Sequence, residues 1–188
     1  MRIVGGRFRG KRLATPAGRD VRPTSDRVRE AVFNILEHGV ENGDPAGKTV
    51  LDLFCGTGAL GLEALSRGAE KVVLADADAA SVALARRNAG AVGAPRDVVT
   101  LRLDAQHLPP PPRIAGAPVD LVFMDPPYQS GLAVPALHAL VRRGWIGDGA
   151  ICVVELAAKE EFEVPAAFTS LQDRKYGAAR VVILRYKT

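Results

Sequence analysis

Residues 50–61, Val-Leu-Asp-Leu-Phe-Cys-Gly-Thr-Gly-Ala-Leu-Gly, constrain the fold more than any other stretch, because a short apolar strand runs there into a glycine-rich turn. Gly56, Gly58 and Gly61 fit G-x-G-x-x-G. The first two allow a tight turn and a close backbone approach to a ligand, and the third lets the following helix pack against the strand. In α/β proteins such a turn is where a nucleotide is held. The turn alone does not name the ligand, since a chain with 19 glycines meets this pattern readily by chance. No Lys-Ser/Thr follows it, which disfavours a phosphate-cradling Walker loop.

The surrounding pattern supplies the context. From Thr49 onward, strand-like apolar runs alternate with helical ones: strand 49–53 and helix 59–66, strand 71–75 and helix 79–89, strand 98–103, strand 119–124 and helix 132–143, then strand 150–156. This alternation predicts a largely parallel sheet covered by helices on both faces. The end differs, because runs 168–173 and 180–186 flank Lys175-Tyr176-Gly177-Ala178, and so short a link permits only an antiparallel pair. Seven strands with a terminal hairpin resemble the α/β class I (Rossmann-like) methyltransferase fold, in which the last strand inserts antiparallel into an otherwise parallel sheet.

A length of 188 residues suits one domain with a small appendage. The appendage is basic. Residues 1–29 hold nine Arg or Lys against Asp20 and Asp26, a net of +7, so with +4 overall the remainder carries −3. A basic arm on a mildly acidic body is the footprint of a polyanion binder, since each phosphate contacted releases counterions. Around Gly5-Gly6 and Gly10, residues 2–13 alternate loosely and predict a short twisted hairpin with its arginines outward. Residues 1–23 are expected to form this hairpin extension and 24–188 the catalytic domain. Thr24 or Ser25 is the expected N-cap of a helix whose apolar members are Val28, Ala31, Val32, Ile35 and Leu36, ending near Gly39. Charge interrupts the amino terminus throughout, and no run is long and apolar enough to span a bilayer, so a cytoplasmic protein is expected. Cys55 and Cys152 sit in strand-like contexts and are expected to be reduced and buried. Pro109 to Pro112 reads as a stiff surface loop.

In a sheet of this kind the ligand lies beyond the carboxyl ends of the strands, which makes the polar residues just past each strand the candidates. Asp52 stands with the glycine loop. Asp76 closes Val72-Val73-Leu74-Ala75 about twenty residues beyond the glycine turn, the usual distance for an acid that accepts from ribose hydroxyls. Asp78 is its rival, although it is well placed to cap the next helix. Asp104, after the third strand, is positioned to accept from an adenine amino group. Each acid also has a plain structural reading as a cap or turn residue. A nicotinamide cofactor would fit the first two sites equally well.

Asp125-Pro126-Pro127-Tyr128 breaks that tie, because it follows the apolar strand 121–124 and resembles the D/N-P-P-Y/F/W signature of methyltransferases acting on planar nitrogens. A purine amino group is a poor nucleophile, its lone pair being delocalised into the ring. Two acceptors on its hydrogens, the Asp125 carboxylate and the Pro126 carbonyl, would favour a nitrogen whose lone pair points at the incoming methyl. The prolines fix φ and hold both acceptors, and Tyr128 offers a face for the base. The implied donor is S-adenosylmethionine, whose sulfonium is already activated, so that proximity and alignment suffice and no metal is required. His107 precedes the proline loop and His138 lies on a helix pattern; neither is read as catalytic.

Four blocks together resemble one family, the bacterial small-subunit ribosomal RNA guanine-N2 methyltransferases known as RsmD. They are Arg2-Ile3-Val4-Gly5-Gly6-x-x-Arg9-Gly10, Arg22-Pro23-Thr24-x-Asp26-Arg27-Val28-Arg29-Glu30, the loop from Asp52 to Gly61, and Asp125 to Tyr128. The first two are the specific part, since many methyltransferases share the others. The resemblance implies methylation of a guanine N2 in 16S rRNA within an assembling small subunit, by an expected monomer. It implies a cofactor-binding set of Asp52, Phe54, Cys55, Gly56, Thr57, Gly58, Asp76 and Asp104, and a catalytic set of Asp125, Pro126, Pro127 and Tyr128. It departs at Asp76, where the family pattern leads one to expect Glu. Arg2, Arg7, Arg9, Lys11, Arg12, Arg22, Arg27 and Arg29 are then expected to grip RNA phosphates while the target base is turned out of its stack. Three rival readings use part of the same residues: an adenine-N6 methyltransferase, a nicotinamide-dependent oxidoreductase, and an RNA-binding assembly factor without transfer activity.

Overall fold

A computed structural model describes residues 1–16 and 26–188. Seven strands form one sheet: β1 (Thr49–Leu53), β2 (Lys71–Asp76), β3 (Val98–Arg102), β4 (Val119–Met124), β5 (Ile146–Ala157), β6 (Phe168–Tyr176) and β7 (Ala179–Tyr186). Their spatial order is β3-β2-β1-β4-β5-β7-β6. The first five run parallel, and β7 lies antiparallel to both β5 and β6. The expected doubly wound sheet with an inserted antiparallel last strand is therefore the observed architecture. The order reverses between β1 and β4, which puts a switch point directly above the glycine turn.

Helices α1 (Asp26–Gly39), α2 (Ala59–Ser66), α3 (Ala79–Val92) and α4 (Ala133–Arg142) cover the sheet. Two apolar cores result, one on each face. The first joins Val50, Leu74, Phe123 and Val153 to residues of α1, α2 and α3, and the second joins Leu53, Val122 and Val154 to α4 and Trp145. Central strands buried on both faces must read as unbroken apolar runs, which is why they stood out in the sequence. Gly61 allows α2 to approach closely. A Cβ there would collide with the side chains of Leu74 and Val72 on β2.

Boundaries moved where tertiary pairing extended an element. Helix α3 continues to Val92 and stops at Gly93, whose φ of 85° forms a left-handed cap. Strand β5 begins at Ile146 instead of residue 150, because an irregularity between Val119 and Leu121 on β4 lets the register resume. The terminal hairpin closes with Tyr176 opposite Ala179, leaving a two-residue turn. Thr24, Ser25 and the 23/24 boundary lie outside the described residues.

The arm is a hairpin only in outline. One antiparallel bridge, Arg2 to Arg12, frames a single 3-10 turn at Gly6–Phe8. Ile3 is fully buried and Leu13 nearly so, both in the first core, and burying one such side chain is worth about 1.5–3 kcal/mol. Gly6 has φ +69°, and any side chain there would run into the backbone of Ser66 on α2. The arm is thus seated on α2, the helix that the glycine turn begins.

Candidate functional site at the strand ends

Strand register explains how the site assembles. Leu53 pairs with Ala75 and with Met124, and Met124 pairs with Val154. One residue further on, the same row reads Asp76, Phe54, Asp125 and Glu155 across four adjacent strands. Side chains alternate along a strand, so Asp76, Asp125 and Glu155 share parity with Leu74, Phe123 and Val153, which all face the first core. Phe54, Asp76, Asp125, Pro126, Pro127, Tyr128 and Glu155 line a cavity of about 350 Å³ at this edge. Among the described residues, three carboxylates and no Lys or Arg stand in that lining.

The glycine loop is held from beneath. Phe54 turns the chain with φ 76°, and the N–H groups of Phe54 and Cys55 both donate to the Ala75 carbonyl at 3.0 and 2.9 Å. Gly56 N–H donates to Asp76 Oδ2 at 2.9 Å, and Asp78 N–H to Asp76 Oδ1 at 2.9 Å. Asp76 therefore lines the cavity and braces the loop together. Asp78 instead caps α3, accepting from Ala80 and Ser81 N–H. Geometry favours Asp76 of the two rivals.

Asp52 needs correcting. It was expected to meet the ligand, yet it is 1% exposed and its carboxylate accepts the Gly61 N–H at 2.8 Å. It shapes the start of α2 from inside the core. Burial pushes its pKa up to about 7, opposed by the Gly61 bond and helped by nearby Asp76. Because the unfolded acid ionises near its ordinary value and the folded one resists, the folded state loses stability as pH rises from about 4 to about 7. Asp52→Asn keeps an acceptor for Gly61, and it is expected to flatten that slope in denaturant titrations run across this range. An unchanged slope would assign the pH dependence elsewhere.

Cys55 and Thr57 are also buried, as Cys152 is, and both cysteines are free. Burial raises both thiols, that of Cys152 to about 12, so neither is a ready nucleophile. The Thr57 hydroxyl donates to Met1 Sδ at 3.4 Å, and Asn88 Nδ2 donates to the carbonyls of Thr57 and Ala14 at 2.9 and 3.1 Å. Loop and arm thus share a clamp. Asp104 lies exposed past β3, accepting from Gln106 N–H and from His107 Nδ1, each at 2.9 Å. The hydrogen bond from His107, then that from Gln106, lowers its pKa. It does not line the cavity. His138 is exposed on α4.

Beyond β4, Pro126 is buried while Pro127 is exposed. The Tyr128 hydroxyl donates to Glu155 Oε1 at 3.0 Å, and Glu160 Oε2 accepts the N–H groups of Gln129 and Ala157 at 3.0 and 3.1 Å. Glu155 and Glu160 had not been singled out from sequence. The signal for Glu155 was present, since it follows Val153-Val154 as Asp125 follows Phe123-Met124.

Among the basic residues, Arg2, Arg7, Arg9, Lys11, Arg12 and Arg27 are exposed as expected. Arg29 is not. It is 0% exposed, with Nη2 on Asp26 Oδ1 at 2.9 Å and Nε 3.5 Å from Glu63 Oε2, so its assignment to RNA is corrected to an interior tie. Helix periodicity set Arg29 on the side of Val32, Phe33 and Leu36, and Glu63 made that side habitable for a cation. Arg22 lies outside the described residues. Glu63, fully buried, also accepts the N–H groups of Val4 and Gly5 at 2.8 Å each and Arg67 Nε at 2.9 Å. No helix among the described residues is long and apolar enough to cross a membrane.

Residues 1–185 match the family model described as conserved hypothetical protein 95. Ribosomal RNA small subunit methyltransferase D of Escherichia coli K12 is 35% identical over 175 residues, 93% of this chain and 84% of that protein. Its namesake from Haemophilus influenzae is 30% identical, spanning 94% and 89% of the two chains. A solved structure of the candidate methyltransferase yhhF from Escherichia coli, 32% identical, superposes with a TM-score of 0.80 over 100% of this chain and 98% of that one.

Proposed function

Because the chain belongs to the conserved hypothetical protein 95 family, the RsmD family of its sequence resemblance, we propose that it methylates the exocyclic N2 of a guanine in 16S rRNA of the small ribosomal subunit. The observation that carries this is the acidic cavity built around Asp125-Pro126-Pro127-Tyr128. S-adenosylmethionine supplies an electrophilic methyl group on a sulfonium cation. Three carboxylates in the lining suit a positively charged donor and its ribose hydroxyls, and they oppose the pyrophosphate of a nicotinamide cofactor. Asp76, which lines the cavity, accepts from the ribose in this reading. Gly56, Gly58 and Phe54 form the loop against which the donor would lie, with Asp104 beyond β3 as the acceptor for the adenine amino group.

Asp125 and the Pro126 carbonyl accept the two hydrogens of the guanine amino group and orient its lone pair. Tyr128, its hydroxyl held by Glu155, presents a ring for the base. The amine proton leaves to Asp125 or to water once the nitrogen is methylated. The protein acts in the cytoplasm, on an assembling particle, as a monomer. Undermethylated small subunits from a strain lacking this protein should accept tritiated methyl groups, recovered after digestion as N2-methylguanosine. N6-methyladenosine in their place would favour the adenine reading, and no transfer would favour a pure assembly factor.

Gripping of RNA falls to the exposed arm. Removing residues 1–20 would be a poor test, since Ile3 and Leu13 belong to the core. Arg9→Ala with Arg12→Ala leaves those anchors in place. The pair of changes is expected to lower the slope of log affinity against log salt by about 1.5, if each side chain meets one phosphate. A slope equal to wild type would remove the arm from the interface.

A further inference from the structure

We propose that Glu160 is a positioning residue for methyl transfer: its carboxylate clasps the turn that carries Tyr128 and holds that ring where the target base must stack. The inference rests on the reading of Asp125 to Tyr128 as the site that receives the base.

Pro127 to Ser130 form a four-residue turn, closed by the Ser130 N–H on the Pro127 carbonyl at 3.2 Å. Tyr128 and Gln129 are its central residues. Gln129 has φ 58°, at the place where a turn with a left-handed third residue normally takes glycine. A side chain there makes the conformation unfavourable, so the surroundings must impose it. Glu160 does so. Its Oε2 accepts the Gln129 N–H at 3.0 Å and the Ala157 N–H at 3.1 Å, joining the loop past β4 to the last residue of β5.

The clasp is itself anchored. The Glu160 N–H donates to the Ala157 carbonyl at 2.9 Å, and the Glu160 carbonyl accepts Arg180 Nη1 at 3.1 Å. Arg180 in turn makes a two-pronged bond to Asp173, at 2.9 and 2.7 Å. Glu160 therefore reaches the turn from a base fixed on β6 and β7, the hairpin that completes the sheet. Tyr128 is held twice, through its hydroxyl by Glu155 and through the next peptide N–H by Glu160. The first bond aims the ring, and the second fixes the backbone from which it projects. Such support matters to rate, because a displacement of about 1 Å at a positioning group costs on the order of 100-fold.

The test measures methyl transfer to undermethylated small subunits at saturating donor, with donor affinity taken separately by equilibrium dialysis. Glu160→Ala is expected to lower kcat by about 10- to 100-fold while the donor Kd stays within about twofold of wild type, since the base and not the donor loses its alignment. Glu160→Gln keeps a side-chain carbonyl for both N–H groups and should recover most of that loss. Adding Gln129→Gly to Glu160→Ala should raise kcat again by at least about fivefold, because glycine adopts a positive φ without penalty. A kcat within about threefold of wild type in Glu160→Ala, however far its melting temperature falls, would show that Glu160 only staples two strand ends. Equal rates for Glu160→Ala with and without Gln129→Gly would show that the turn is not what Glu160 holds, and would overturn the proposal as well. A wild-type protein that adds no methyl to guanine N2 would overturn the reading of the site, and this role with it.

Discussion

Asp125→Ala is expected to lower methyl transfer to undermethylated small subunits by about 100- to 1000-fold while donor binding survives. The magnitude is that of deleting one preorganised polar group aimed at a reacting centre. Asp125 stands in the middle of the strand-end row, between Phe54 on one side and Glu155 on the other, and the following Pro126 is buried and fixes the turn. Among the described residues of the lining, none can replace its carboxylate at that place, since Asp76 braces Gly56 and Glu155 holds Tyr128. Equilibrium dialysis with labelled donor separates binding from transfer. Transfer within tenfold of wild type would mean that the amino group is activated by another residue.

The second large effect concerns stability. Glu63→Ala should cost about 3–5 kcal/mol, because it strips a fully buried Arg29 of its interior carboxylate and leaves two backbone N–H groups of the arm without their acceptor. For a chain of this length the melting temperature would drop by roughly 10 °C. Arg67 keeps Glu37 at 2.9 Å, so part of the charge network persists. Calorimetry decides the matter, and a shift under about 3 °C would mean that the cluster is incidental. Its position also links fold to function. Helix α2 begins at the glycine turn and, one turn before its end, carries the acid that seats the basic arm.

Much of this was visible in the residues. Strands buried on both faces announce themselves as apolar runs, and the glycine turn and Asp125 to Tyr128 carry their backbone requirements in their composition. What escaped depended on pairing across the sequence. Arg29 reads as one more cation until Glu63, thirty-four positions later, is found against it. Asp52 reads as a ligand until burial and the Gly61 bond turn it inward. Glu155 becomes part of the site only through the register of β4 with β5.

The place of β7 in the sheet has a consequence for the chain's solubility. Strand β5 contains Ile151-Cys152-Val153-Val154, buried on both faces, and β7 supplies the backbone partners for its outer side from Ile151 to Ala157. Without β7, β5 becomes an exposed edge with its outward donors and acceptors open, and its Ile151–Val154 stretch is uncharged and free of proline. Such an edge templates intermolecular pairing. The strand that ends the sheet, β6, carries Asp173, Arg174 and Lys175 instead, so the completed molecule shows its neighbours a charged margin. Inserting the last strand inboard thus hides the stickiest segment of the chain, and a product cut short before Ala179 would aggregate before it lost its helices.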